Sequence, residues 1–234
     1  MANTESTFAD RRGRGQELLE GISDFTPVFA PADDALLPAN YATFLGTLDT
    51  ANGLVDSLSL QYTTSVTNRQ EMVKQIKRLA MQSFSYVRSS SDYRAYIPTL
   101  DKPYKKLRGY RAKRQGAPPQ TPPPQTRNTG EQSFADILKL FYTFITALSQ
   151  LPDYAPGNTE ITVAALGVLG GQLRDLNKDM IDLDLALITA VINRHRLYYN
   201  EDGLRGKIKT IKLATVAQYG RDSVQYQSIR HIRF

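Results

Sequence analysis

The chain has 234 residues, 41% hydrophobic and 22% charged, with a formal net charge of +6 and a pI near 9.4. That length suits one large domain or two small ones, with enough apolar content for a core. The absence of cysteine excludes disulfides, cysteine-bound zinc, iron–sulfur clusters and thiol nucleophiles, and it fits a cytoplasmic protein.

Residues 1–14 read as a polar N-terminal arm, without the apolar core of a signal peptide. A short helix follows around Gln16 to Phe25, carrying Leu18, Leu19 and Ile22. The ladder Tyr41, Phe44, Leu48, Ala51, Val55, Leu58, Tyr62 predicts a helix from about Ala39 to Ser65. Thr67, with Glu71 behind it, is placed to cap a separate helix with Val73, Ile76, Ala80, Phe84 and Val87 on its apolar face.

A dense basic segment comes next: Lys102, Lys105, Lys106, Arg108, Arg111, Lys113 and Arg114, interleaved with Tyr104 and Tyr110. Residues 116–131 hold Pro118, Pro119, Pro122, Pro123 and Pro124, and proline favours an extended linker over a helix. Ser133 is placed to cap a helix bearing Phe134, Leu138, Phe141, Ile145 and Leu148, which stops before Pro152.

The clearest seam follows. Leu166, Leu169, Leu173, Leu176, Met180, Leu183, Leu187 and Ala190 alternate steps of three and four on a helix from about Thr159 to Tyr198. Ile181, Leu185, Ile188 and Ile192 form a second stripe, so this helix has apolar surface for more than one neighbour. A last helix carries Leu204, Ile208, Ile211, Thr215 and Tyr219, and Gly220 ends it. The terminus, Tyr226 to Phe234, alternates polar and apolar residues in the manner of an extended strand. No run approaches the roughly 18 apolar residues of a membrane span.

The elements recur in order. Helix, Phe29-Ala30-Pro31, long helix and Val73-Lys74-Gln75-Ile76-Lys77 match helix, Tyr154-Ala155-Pro156, long helix and Ile208-Lys209-Thr210-Ile211-Lys212. Ser90 to Tyr93 and Ser223 to Tyr226 close the two series. An internal duplication is expected, with repeats at 15–115 and 132–234.

Two stretches are candidate sites. The basic segment, Lys102 to Arg114, has cations to neutralise phosphates and Tyr104 and Tyr110 to stack on bases; the alternative is a solvated loop or a clamp on an acidic protein surface. The tail residues Tyr226, Ile229, Ile232 and Phe234 suit addition to a neighbouring chain or closure of their own bundle. His195 and His231 lack companions at metal spacing. Asp175, Asp179 and Asp182 share a face, but no Glu-x-x-His accompanies them as a di-iron bundle needs. Gly167, Gly170 and Gly171 follow no strand and precede no Gly-Lys-Ser, so they read as small residues at a helix contact and not as a phosphate loop.

Tyr219-Gly220-Arg221-Asp222-Ser223-Val224-Gln225-Tyr226, after Ile208-Lys209-Thr210-Ile211-Lys212, resembles a group of uncharacterised bacterial helical proteins. Their Val/Ile-Lys helix ends in an aromatic-Gly pair followed by Asp-Ser-x-x-Tyr. The resemblance implies helical architecture and no catalytic activity. The expectation is therefore an all-α, internally duplicated up-down bundle of four main helices plus shorter ones. It would act as a non-enzymatic scaffold that self-assembles into a homo-oligomer, without cofactor or metal. The alternative is a nucleic-acid-binding protein using 102–114.

Overall fold

The computed structural model describes residues 7–109 and 133–234. Among them the chain is all-α, with seven α-helices, three short 3-10 turns and no strand. The helices are α1 (Phe8–Ser23), α2 (Pro38–Ser89), α3 (Ile97–Arg108), α4 (Phe134–Ser149), α5 (Val163–Tyr199), α6 (Leu204–Tyr219) and α7 (Val224–Ile229). No helix among the described residues is long and apolar enough to cross a membrane.

The chain divides into two compact units, and neither is one of the expected halves, 15–115 and 132–234. One unit joins residues up to Gln61 with Leu183–Phe234; the other is Tyr62–Asp182. Local sequence order does not reveal this, because the long helices α2 and α5 each contribute to both units.

In the first unit α1 begins at Phe8, so residues 8–14 of the expected polar arm are helical. The reason is a complete capping box. The Thr7 hydroxyl accepts from the Asp10 amide at 3.1 Å, and the Asp10 carboxylate accepts from the Thr7 amide at 2.9 Å. These bonds hold the Asp10 carboxyl below its ordinary pKa, the backbone bond from Thr7 contributing most. Arg12 then grips Asp49 of α2 with two bonds of 2.9 and 2.8 Å. Leu18, Ile22, Phe29, Tyr41, Leu204 and Ile211 are buried together at the centre. Gly15 lies close against them, where a Cβ would meet the tip of the Leu45 side chain at 2.9 Å.

The second unit packs the end of α2, α3, α4 and the start of α5 around Ile76, Phe84, Leu107, Phe144, Leu166 and Leu173, all buried. Ser133 caps α4 as expected, accepting from the Asp136 amide. The seam on α5 faces inward, with Leu166, Leu169, Leu173, Met180 and Ala190 buried. The helix starts at Val163, after a 3-10 turn capped by the Asn158 side chain. Gly170 lies under Tyr142, whose ring a Cβ would approach to 3.0 Å, which is the close contact expected of a small residue; Gly167 and Gly171 meet nothing comparable.

Two expectations of local structure fail. Thr67 caps no new helix, because α2 is one helix of 52 residues. Its hydroxyl donates back to the Thr63 carbonyl at 3.1 Å, which satisfies it inside the helix, and neither glycine nor proline interrupts 54–89. The tail is no strand either. Gly220, at φ 91°, ends α6, Ser223 caps α7, and Ile229 and Ile232 turn into the first unit's core.

Candidate functional site

One arrangement of side chains occurs in both units. In the first unit the Arg194 guanidinium lies 4.1 Å from the centroid of the Phe8 ring. In the second, Arg69 lies 3.7 Å from that of Phe134. Phe8 opens α1 and Phe134 opens α4, inside the strings Thr7-Phe8-Ala9-Asp10 and Ser133-Phe134-Ala135-Asp136. Arg69 and Arg194 sit in Asn68-Arg69 and Asn193-Arg194, 125 positions apart. At that same spacing Asn52 and Asn177 join the two clusters. Asn52 donates to the Tyr198 hydroxyl at 2.8 Å, and Asn177 donates to the Phe134 carbonyl at 3.5 Å.

A guanidinium is attracted to the electron-rich face of an aromatic ring, most strongly where water is excluded. Each cluster therefore ties the first turn of a short helix to a long one. Tyr198 packs edge-on against Phe8 at 4.8 Å. Burial raises its pKa, opposed by the Asn52 hydrogen bond. The clusters contain no nucleophile beside a base. They anchor helices, and the repeated Phe-Ala-Asp and Asn-Arg strings are the signal in the sequence that points to them.

A second pair of contacts follows the same order. The Tyr219 hydroxyl donates to the Pro27 carbonyl, in the loop after α1, at 2.6 Å. The Tyr86 hydroxyl donates to the Ala155 carbonyl, in the loop after α4, at 3.2 Å. Gln218 braces the first loop further, donating to the Val28 carbonyl and accepting from the Ala30 amide, both at 2.9 Å. Tyr93 docks on the second loop, donating to the Asp153 carbonyl at 3.0 Å. Tyr226 makes no matching contact; its amide donates to Ser223, the cap of α7.

The basic segment separates into parts. Tyr110, Arg111, Lys113 and Arg114 lie outside the described residues. Lys102, Lys105, Lys106 and Arg108 line the exposed side of α3, with Lys105 paired to Asp101 at 2.6 Å. Tyr104 is not open to stack on a base, which corrects its expected role. It is buried, its ring stacked on Phe84 with centroids 4.3 Å apart. The helical period explains this. Leu100, Pro103, Tyr104 and Leu107 share the inner face of α3, and the lysines take the outer one.

The tail residues are likewise used within the chain. Ile229 and Ile232 are buried and Phe234 packs at their edge, 5.3 Å from Tyr199. The Lys212 amine donates to the Arg230 carbonyl at 2.9 Å and to that of Ile232. Burial, with the nearby Arg233 charge, lowers the Lys212 pKa. His231 meets Glu17 at 2.8 Å.

His195 stacks on Tyr199 at 4.3 Å. Asp175 pairs with Arg174 at 3.1 Å, while Asp179, Asp182 and Asp184 are exposed. Among the described residues no group of three or more His, Asp or Glu side chains is arranged to hold a metal ion. Also exposed on α5 are the apolar side chains of Ile181, Leu185, Ile188, Val191 and Ile192.

Comparison with protein-family models, with curated proteins and with solved structures finds no match to this chain.

Proposed function

We propose that this chain is a cytoplasmic, non-enzymatic scaffold subunit, internally duplicated, that assembles with further copies of itself. The observation that carries the reading is the exposed apolar surface of α5, a helix whose opposite side is already buried in the fold. An apolar stripe of this length on a water-soluble helix marks a contact surface. The paired Phe–Arg clusters and tyrosine–loop contacts support duplication, since they join equivalent places in the two units at spacings of 125 to 133 residues, as from Arg69 to Arg194 and from Tyr86 to Tyr219. The likeness to bacterial helical proteins in the stretch Ile208 to Tyr226 agrees with this reading. Light scattering on the purified chain tests it: a mass well above the 26.2 kDa of one chain is expected, and a concentration-independent monomer refutes it.

A second reading rests on the outer face of α3. Lys102, Lys105, Lys106 and Arg108 project there with Asp101 as the one carboxylate on that helix. Binding to nucleic acid through them would weaken steeply with salt. Mobility-shift titration of a single-stranded oligonucleotide at rising salt distinguishes this from a scaffold, which shows no shift.

A further inference from the structure

The outer face of α5 is more apolar than its fold requires. Leu185 is 65% exposed, Ile188 49% and Ile192 47%, and Ile181, one turn earlier, is 69% exposed. The residues 125 positions earlier, on α2, are Asp56, Leu60, Thr63 and Thr67. A helix with the same anchoring contacts thus keeps its place with polar residues at three of the four positions. The isoleucines of α5 serve something other than folding. Residues 1–6 and 110–132 contain no Leu, Ile, Val or Phe.

We infer that this face pairs with the same face of a second copy, α5 against α5 and antiparallel. The inference rests on the self-assembly proposed above and names its surface. The charges flanking the stripe choose both partner and direction. Asp182 and Asp184 lie at its N-terminal end, and Arg196 at its C-terminal end. An antiparallel pair centred on position 190 sets Ile188 against Ile192 of the second copy, and Leu185 beside the second copy's His195. It sets Asp184 level with the second copy's Arg196 and Asp182 two residues along from it. A two-fold axis makes each contact twice. A parallel pair sets Asp182 near Asp182 and Arg196 near Arg196. Like charges facing across a helix pair destabilise it. An anionic membrane is disfavoured by the same two aspartates. Ala190, on the opposite side of the helix, stays in the fold's own core.

The test is sedimentation equilibrium of the full chain. Ile188→Thr with Ile192→Thr gives α5 the residues that α2 carries at 63 and 67, so the helix should remain folded by circular dichroism. The dimer dissociation constant is expected to rise by about tenfold or more. Asp184→Arg alone should weaken association by about tenfold, and adding Arg196→Asp should restore it. Wild-type chain that never associates overturns the self-assembly reading and this inference with it. Association untouched by the threonine pair overturns this surface and leaves self-assembly standing. A charge swap no better than its single parent overturns the antiparallel pairing. Binding to anionic vesicles that is lost with the threonine pair, without self-association of the wild type, assigns the face to lipid and overturns the second copy as its occupant.

Discussion

The two units solve the same problem with different chemistry. Each fixes the start of a short helix by placing an arginine over a phenylalanine, Arg194 over Phe8 in one and Arg69 over Phe134 in the other. Around that shared anchor the two units differ in their polar contacts. Arg12 and Asp49 form a two-bond ion pair in the first; the positions 126 and 125 residues later hold Leu138 and Arg174. Tyr198 receives the Asn52 hydrogen bond in the first, and its counterpart position in the second is Val73, a buried aliphatic residue. On the proposed duplication, features present in both units are those that hold the architecture, and features present in one are free to differ.

The largest expected effect lies where the long helices part company. α2 runs unbroken to Ser89, whereas α5 stops at Tyr199 and the chain turns through 200–203 into α6. The turn brings the Glu201 carbonyl so close to Gly206 that a Cβ there would sit 1.6 Å from its oxygen. Backbone, not a flexible side chain, blocks that space. Gly206→Ala is expected to destabilise the chain by about 3 kcal/mol, read as a lowered midpoint in urea. Next in size are the anchors. Arg69→Gln and Arg194→Gln should each cost about 1 kcal/mol, and by similar amounts. A large loss from one and none from the other would break the equivalence of the two clusters.

The seams on α2 and α5, the Ser133 cap and the Gly220 stop were legible in the sequence because they are local. A three-to-four period or a single capping hydroxyl states its structure within a few residues. The rest depended on partners far along the chain. Thr67 has the chemistry of a cap, but a hydroxyl is equally satisfied by the carbonyl four residues back, and only the surrounding packing decides. Period two in the tail agrees as well with a short helix followed by a turn that buries Ile229 and Ile232. The basic segment was visible as charge. The burial of Tyr104 was not, since it needs Phe84 and α4 to be in place. The division into units that cross the expected repeats is invisible locally, yet Phe-Ala-Asp at 8–10 and 134–136 marks its equivalent corners.

The smallest effect concerns a single hydroxyl. Tyr41 is buried in the first unit, and among the described residues its hydroxyl has no hydrogen-bond partner. The residue 125 positions later is Leu166, buried in the second unit and entirely apolar. On the proposed duplication the fold accepts an apolar side chain there, and Tyr41→Phe should be neutral or stabilise by up to about 1 kcal/mol at pH 7. Burial raises the Tyr41 pKa above the ordinary value of 10.0, because the fold favours the neutral phenol. A group whose folded pKa is raised contributes stability that is complete below its unfolded pKa and is lost as pH rises through the folded one. Wild-type chain should therefore lose stability above pH 10, and Tyr41→Phe should flatten that fall in thermal melts. Tyr198 and Tyr219, also raised by burial, keep part of the slope. An unchanged alkaline profile in the phenylalanine variant would mean that the Tyr41 hydroxyl finds water in solution, and that this position resembles its leucine counterpart less than their shared burial implies.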